Sequence, residues 1–522
     1  MKLKTTLLAA ALLMAGSLAH AVTLRVANLG DVQSMDPHSL NETLQLSFTA
    51  SVYEPLVGRD KKMNLIPLLA TQWSQKSPTV WRFSLRKGVK FHDGTPFGAD
   101  DVVFSFKRAA GDGSDMKGYT SAIKEVRKVD DFTVDIETTA PFPILPDVIS
   151  LVYIMNKSWC EANKAEKPVD RRKGIENAAS FRTNGTGPFR TKERQPATRT
   201  VLVRNFNYWG KVEGNVDEVV FTPIGNDATR VAALVSGEID LMEPVPLQDV
   251  ERLKANPNLK VMQGPELRTI FLGMDQKRDE LLFSNVKGKN PFKDIRVRQA
   301  MAHTIDANAI RTSVMRGLAT TSMSMIAPQV RGYTKDVEKR WPLDLAKAKK
   351  LMAEAGYPNG FEVTLDCPNN RYINDEKICV AISGMLAKID IKIKLNSMPR
   401  ATYFPKIQTN DTSMYLLGWG VPTFDSLYTL QSILRTKGQG GDGNWNFSGY
   451  SNAKLDAIVD QLKTEIDFKK RADLTREALL LDQADVGHIP LHHQVIPWAM
   501  RSNVTVVHRP DNRMHAKWAV VK

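Results

Sequence analysis

After its first residues, the 522-residue sequence lacks any run of about 18 uncharged apolar residues, the length that a membrane-spanning helix needs. Its early apolar run, Leu7 to Leu18, follows a positively charged start and precedes Ala19-His20-Ala21, a small-x-small cleavage site. We therefore expect residues 1–21 to be a cleaved secretory signal peptide. An uncleaved membrane anchor is the alternative, but the run is short for a span and the cleavage site follows it directly.

Cysteine is scarce, with three residues in the whole chain. The first of them is Cys160, so no thiol stands at the cleavage point for lipid attachment, and we expect a freely diffusing periplasmic protein rather than a lipoprotein. Cys367 and Cys379 are spaced to permit a disulfide in an oxidising compartment, but the sequence leaves that pairing open. No Cys or His pair has the spacing of metal ligands, and no cofactor or metal is expected.

The chain also lacks a concentrated basic stripe. Lysine and arginine number 71 against 57 acidic residues, a formal charge of +14, but they are scattered along the sequence. A scattered excess is typical of a solvated surface, which argues against nucleic-acid binding. An anionic ligand or the outer face of a membrane is the alternative partner for this excess.

Signatures of hydrolytic enzymes are missing as well. Neither a G-x-S-x-G nucleophile elbow nor an H-E-x-x-H metal motif occurs in the sequence. His492 and His493 are adjacent, so on a strand their side chains point to opposite faces and cannot easily share an ion. We therefore expect a binding protein with no catalytic residues.

Runs of alternating residues and amphipathic helical segments follow one another along the chain, which predicts an α/β fold. The predicted strands are Val22 to Asn28, Trp81 to Arg86, Arg199 to Arg204, Glu218 to Thr222 and Asp390 to Leu395. The predicted helices are Leu345 to Ala355, with Asp344 as N-cap and Gly356 as stop, and Ile378 to Ile389.

A series of motifs stands in a fixed order along the chain: Ala70 to Trp73, Trp81 to Phe97, Ala99 to Ser105, Asn184 to Phe189, Ala232 to Asp240, Asp294 to Met301, Ala353 to Pro358 and Ile489 to Gln494. Over nearly the whole mature length, they resemble the family 5 bacterial extracellular solute-binding proteins. This family holds the dipeptide-, oligopeptide- and nickel-binding proteins of ABC importers.

The resemblance implies a type II-like periplasmic binding fold, in which two α/β lobes are joined by a hinge and lobe one carries an extra domain. Hinges are expected near Gly273-Met274-Asp275 and Val486-Gly487-His488. The implied division is lobe one at 22–57, the extra domain at 58–182, lobe one again at 183–276, lobe two at 277–485, and the return to lobe one at 486–522.

The segment from Leu417 to Asp425 carries the main site prediction. In peptide-binding relatives, a Gly-Trp segment lines the cleft and soon supplies an aspartate for the peptide's α-ammonium group. Here the third residue after Trp419 is Pro422, and the nearest acid is Asp425, which either binds the amine or caps the following helix. Trp419, flanked by Gly418 and Gly420, is predicted to line the cleft rather than the core.

Four further positions complete the predicted site. Arg371 is placed to clamp a carboxylate, and Lys377 is the cation that the resemblance puts near the peptide's terminal carboxylate; for both, a surface cation is the alternative. Met35, after the first strand, offers adaptable apolar contact. Asn446 is a weaker candidate within a segment that also holds two aromatic residues.

The resemblance implies that the protein is the substrate-binding component of an ABC importer. It is expected to act as a monomer that closes on a di- or oligopeptide, or a similar small solute. It then delivers this ligand to the permease subunits, and through them indirectly to the ATPase subunits. A metal chelate or haem in the same fold is the alternative, and a secreted hydrolase is the second alternative.

Overall fold

The computed structural model describes residues 21–170, 173–439 and 441–522, so the predicted signal peptide lies outside the described residues apart from Ala21. Within these ranges, no helix is both long and apolar enough to cross a membrane. The strands of the described chain are β1 (Thr23–Asn28), β2 (Val57–Arg59), β3 (Leu65–Pro67), β4 (Ala70–Ser77), β5 (Val80–Leu85), β6 (Ile123–Asp130), β7 (Thr133–Thr138), β8 (Phe189–Gln195), β9 (Arg199–Arg204), β10 (Glu218–Pro223), β11 (Leu241–Glu243), β12 (Leu259–Met274), β13 (Ala319–Thr321), β14 (Phe361–Pro368), β15 (Ile391–Met398), β16 (Met414–Gly420), β17 (Ile489–Arg501), β18 (Val504–Thr505) and β19 (Val520–Val521).

Helices alternate with these strands along the chain. The α-helices of the described residues are α1 (Thr43–Val52), α2 (Ala99–Ala110), α3 (Lys117–Thr120), α4 (Leu145–Ile149), α5 (Lys157–Ala162), α6 (Asp227–Ser236), α7 (Val250–Lys254), α8 (Ile295–Thr304), α9 (Ala307–Ala309), α10 (Leu345–Glu354), α11 (Asp375–Leu386), α12 (Arg400–Gln408), α13 (Leu427–Thr429), α14 (Ala453–Thr464) and α15 (Phe468–Asp485).

Eleven strands form one mixed sheet in the order β15-β14-β16-β12-β17-β11-β1-β10-β9-β8, with β13 added against β17. The pairs β1–β10, β1–β11, β14–β15 and β14–β16 are parallel, whereas β12 pairs antiparallel with both β16 and β17. A separate sheet of four strands has the order β4-β5-β7-β6. The predicted α/β class is therefore confirmed.

The long strands β12 and β17 join the two halves of the large sheet. The first half of β12 pairs with the part of β17 that also pairs with β11, and its second half, from Arg268 onward, pairs with β16. Between Pro265 and Thr269 the register shifts, so that three residues of β12 lie opposite Gln494 alone. β12 and β17 stay paired with each other on both sides of this shift, but β12 gains β16 as its other neighbour and β17 changes from β11 to β13. We call residues 266–268 the exchange segment.

The locally encoded elements lie where the sequence predicts them. The predicted helix from Leu345 is α10, and the side chain of Asp344 accepts a hydrogen bond from Lys347 N as its N-cap. Gly356 takes a left-handed conformation (φ +87°), which lets the chain leave the helix. The second predicted helix is also present, but it begins at Asp375 and ends in a 3₁₀ turn.

Candidate functional site

A cavity of about 1440 Å³, open solvent included, lies on one side of the exchange segment of β12. The lining residues lie just before α1, in residues 266–268, in the loop after β14, in α12, in β16 and at positions 510, 511 and 513. Several of these pieces follow the carboxyl ends of parallel strands. Ligands in open α/β sheets bind outside those ends, so this cavity is the candidate site.

Aromatic side chains form one wall of the cavity. The ring of Trp419 stacks on Tyr428 at 5.0 Å between centroids and tilts against Trp445 at 5.4 Å. Tyr428 is held in turn, because its hydroxyl accepts a hydrogen bond from Asn41 (2.8 Å) and lies 3.0 Å from the hydroxyl of Tyr119. Among the described residues, Nε1 of the buried Trp419 indole has no hydrogen-bond partner. The wall offers apolar contact area together with one unused donor.

Gly418 allows this strand to pack closely. A Cβ at this position would lie 2.7 Å from side-chain atoms of both Ile270 and Tyr372. The carbonyl of Gly418 accepts hydrogen bonds from Nη1 of Arg268 (3.0 Å) and from the hydroxyl of Tyr372 (3.3 Å). A glycine here lets the backbone of β16 act as an anchor for a buried arginine.

Three arginines surround two glutamates at the inner end of the cavity; Arg268 is buried, and the side chains of Arg371 and Arg400 are only 13% and 11% exposed. Arg268 pairs with Glu266 at 3.0 Å. Nη2 of Arg371 and Nη1 of Arg400 lie 3.5 Å and 3.6 Å from the same oxygen of Glu42. Burial by itself would raise the pKa of Glu42, but the two guanidinium groups hold that pKa below its usual range. Glu42 is therefore ionised, and we call these five residues the arginine cluster.

The arginine cluster carries one positive charge that no carboxylate within it balances, because three guanidinium groups face two glutamates. Nε of Arg371 is buried and has no hydrogen-bond partner among the described residues. Arginine presents a planar fork that matches a carboxylate. This arrangement can therefore accept one further carboxylate from a ligand.

The loop that carries Arg371 is fixed before any ligand arrives. The carboxylate of Asp375 accepts hydrogen bonds from the backbone N–H groups of Arg371 (2.9 Å) and Tyr372 (3.0 Å). Cys367 and Cys379 form a disulfide across the same loop, which settles the pairing that the sequence left open. Cys160 is a free, buried thiol. The guanidinium group of Arg371 is thus carried by a loop that is already ordered, so ligand binding costs less conformational entropy.

Asp425 lies outside the cavity lining, although it follows Trp419 closely in sequence. It is buried and pairs with Arg471 at 2.7 Å. The same oxygen accepts a hydrogen bond from Leu427 N at the start of α13, whose N-cap residue is Ser426. Its carboxylate is therefore committed to an internal ion pair and to a helix terminus.

The other predicted positions divide into two groups. Gly418, Trp419, Gly420 and Arg371 line the cavity, whereas Lys377, Met35 and Asn446 do not. Lys377 is exposed on α11, and Met35 is fully buried in the hydrophobic core. The amide of Asn446 donates to the carbonyls of Arg435 and Tyr450 and so ties a loop together. These three have structural or surface positions in this conformation.

Most of the arginine cluster is not predicted from the sequence. Glu42 lies just before α1, Arg400 begins α12 and Arg268 lies in the exchange segment, so the three are far apart in the chain. One signal was available, because Glu266 and Arg268 stand two residues apart on a strand and therefore share a face. Among the described residues, no group of three His, Cys, Asp or Glu side chains is arranged to hold a metal ion.

Comparisons with known proteins agree on one family. A family model described as bacterial extracellular solute-binding proteins, family 5 Middle, matches residues 64–441. The glutathione-binding protein GsiB of Escherichia coli (strain K12) is 26% identical over 507 residues, which cover 94% of this chain and 93% of GsiB.

Solved structures give the same picture. The periplasmic binding protein DppA from Helicobacter pylori, in complex with the peptide STSA, is 26% identical with a TM-score of 0.81, over 94% of this chain and 98% of DppA. MoaA from A. tumefaciens R10, in complex with mannopinic acid, is 26% identical with a TM-score of 0.83, over 96% of this chain and all of MoaA (100%). The type II periplasmic binding fold expected from the sequence is thereby confirmed.

Proposed function

Because this chain belongs to the family 5 bacterial extracellular solute-binding proteins, we propose that it captures a small peptide or amino-acid derivative by its free carboxylate, as the substrate-binding component of an ABC importer. The observation that carries the proposal is the unbalanced positive charge of the arginine cluster beside an aromatic wall. Members of the family bind solutes rather than transform them, and no catalytic step is required here.

The relatives bind ligands of this chemistry. GsiB is a glutathione-binding protein, DppA was solved with a peptide, and MoaA was solved with mannopinic acid. Glutathione and unmodified peptides end in a carboxylate, and the third ligand is an acid. A common anionic group on otherwise different solutes fits one fixed arginine site beside an adaptable apolar wall.

Hinge closure follows from where the arginine cluster lies. Arg268 belongs to the predicted second part of lobe one (183–276), whereas Arg371 and Arg400 belong to predicted lobe two (277–485). A ligand carboxylate that enters between them contacts both lobes and stabilises the closed state by its higher affinity for that state. We place the crossing of the hinge strands at residues 266–268, where the register with β17 shifts and β16 becomes the second neighbour of β12, rather than near Gly273-Met274-Asp275.

Delivery to a membrane permease completes the proposed role. The relatives include periplasmic binding proteins, and we propose that this chain acts in the periplasm, after removal of residues 1–21, as a monomer without a lipid anchor. The closed lobes present a surface that the permease subunits recognise, and the open lobes do not present it.

The test is calorimetric titration of the mature protein with glutathione, the tetrapeptide Ser-Thr-Ser-Ala and mannopinic acid, with the C-terminally amidated tetrapeptide as the matched control. At least one of the three acids should bind. The amide should bind the protein roughly 10- to 100-fold more weakly than the free tetrapeptide, which is the usual effect of losing a charge-assisted contact. Binding of none of the three acids, or equal binding of the tetrapeptide and its amide, contradicts the proposal.

A further inference from the structure

A second chamber adjoins the first on the far side of the arginine cluster. It encloses about 550 Å³, open solvent included, and Glu42, Arg268, Arg371 and Arg400 line it as they line the first cavity. Glu243 is among its other lining residues. None of the predicted site positions except Arg371 lies in this chamber, and the proposed carboxylate contact does not require the rest of it.

The floor of the second chamber lies at the carboxyl ends of two parallel strands. Asn28 ends β1 and Glu243 ends β11, and these two residues stand opposite each other in the register of the pair. Gln494 lies on β17, opposite the exchange segment of β12. The chamber therefore has the position relative to the sheet at which α/β proteins bind ligands.

Two acceptor atoms in this chamber lack partners. Glu243 is 4% exposed and Gln494 is 3% exposed, yet Oε2 of the first and Oε1 of the second have no hydrogen bond among the described residues. The amide of Gln494 is oriented by its other atom, because Nε2 donates to Oε2 of Glu266 at 2.8 Å. Buried polar atoms without partners are rare in native proteins, so each of these atoms needs a donor from outside the chain.

The absence of a cation beside Glu243 among the described residues indicates what kind of ligand group this side chain would bind. No lysine, arginine or histidine pairs with this carboxyl group in the described part of the chain, whereas Glu42 and Glu266 are both paired with arginines. Burial raises the pKa of Glu243 to about 8, against a lowering effect of the Asn28 side chain. In the free protein at neutral pH, this group therefore keeps its proton. An ammonium group bound beside it would lower that pKa, so that the proton leaves and the buried carboxylate accepts hydrogen bonds from the cation.

We propose that the second chamber binds the ammonium group of the captured solute, with Glu243 and Gln494 as its acceptors. This inference rests on the proposed function, because the carboxylate of the same solute lies on Arg371, which lines both chambers. An α-amino acid head group carries its ammonium and its carboxylate on one carbon, so adjacent subsites suit it. Glu243 thereby supplies the acid that is absent three residues after Trp419, where Pro422 stands.

The experiment compares free and N-acetylated forms of glutathione and of Ser-Thr-Ser-Ala by calorimetry. For at least one pair, the wild-type protein should bind the free amine roughly 10- to 100-fold more tightly than the acetylated form, as expected for a hydrogen-bonded charge. Glu243→Gln keeps the shape of the side chain but cannot ionise when a cation binds, and it should abolish most of this preference. Glu238→Gln, an exposed position five residues earlier, should keep the preference in full.

Gln494→Leu provides a second variant, so that the test does not depend on the folding of one protein. It should also reduce the preference for the free amine. If both variants keep the full preference for the free amine over the acetylated form, the inference is wrong, and ordered water is then the partner of the two buried oxygen atoms. A different result is that the wild-type protein binds the free amine and the acetylated form equally well and still binds the C-terminal amide of Ser-Thr-Ser-Ala more weakly than the free tetrapeptide. In that case this inference fails and the proposed function stands. If neither free glutathione nor free Ser-Thr-Ser-Ala binds, this inference fails, and the proposed function fails with it if mannopinic acid does not bind either.

Discussion

Replacement of Arg371 by alanine is expected to weaken the binding of a carboxylated solute by about 3–4 kcal/mol, which is roughly 100- to 1000-fold. The side chain of Arg371 is only 13% exposed, its loop is fixed by the carboxylate of Asp375 and by a disulfide, and its buried Nε has no partner among the described residues. Removing one member of a desolvated charged contact leaves the other member buried and unpaired. Titration of the variant with Ser-Thr-Ser-Ala measures the loss directly.

Lys377→Ala is the matched control for this prediction. It removes the same charge from the helix that follows the same loop, but Lys377 is exposed and lies outside the cavity lining. Its affinity should stay within about twofold of the wild type, since surface substitutions change free energies by about 0.5 kcal/mol or less. If Lys377→Ala weakens binding as much as Arg371→Ala, the carboxylate site has been assigned to the wrong cation.

Replacement of Arg108 by alanine is expected to lower the free energy of unfolding by about 3–5 kcal/mol, the usual cost of breaking a buried ion pair. Arg108 and Asp36 are fully buried and 2.6 Å apart. Arg108 also donates to the carbonyls of Ala165 and Lys167, so it connects the segment after β1 with the predicted extra domain. Denaturant unfolding followed by tryptophan fluorescence measures the change.

Arg82→Ala is the control for stability. Arg82 makes a bidentate pair with Asp135, but its side chain is 39% exposed, and exposed pairs contribute about 0–1 kcal/mol. A much smaller loss of unfolding free energy than for Arg108→Ala is therefore expected for this variant. If Arg82→Ala and Arg108→Ala lower the free energy of unfolding equally, burial of the Arg108–Asp36 pair does not determine how much that pair stabilises the protein.

The parts of the fold that the sequence predicts are those with local causes. The helix from Leu345 has an N-cap, a helical apolar stripe and a glycine stop within about a dozen residues, and all three act as predicted. The cleft position of Trp419 between two glycines is also read from neighbouring residues. Such short-range patterns are reliable predictors because the residues that form the pattern also make the capping and packing contacts in the folded protein.

The rest of the site depends on contacts between distant segments. Glu42 meets Arg371 and Arg400 only after β14 and β15 have taken their places in the sheet. Asp425 follows Trp419 closely, but a partner 46 residues later, Arg471, holds it away from the cavity. Sequence spacing therefore identifies the aromatic wall and one arginine, while the ion pairs that decide which charges are available come from tertiary packing.

The account depends most on closure of two lobes over a carboxylated solute, and small-angle X-ray scattering of the mature protein tests it most directly. We predict that saturating Ser-Thr-Ser-Ala reduces the radius of gyration of the wild-type protein. The amidated peptide at the same concentration, or the free peptide added to Arg371→Ala, should reduce the radius less, in proportion to the smaller fraction of protein that is bound. An unchanged radius in the wild type, under conditions where calorimetry shows the peptide bound, would contradict the account.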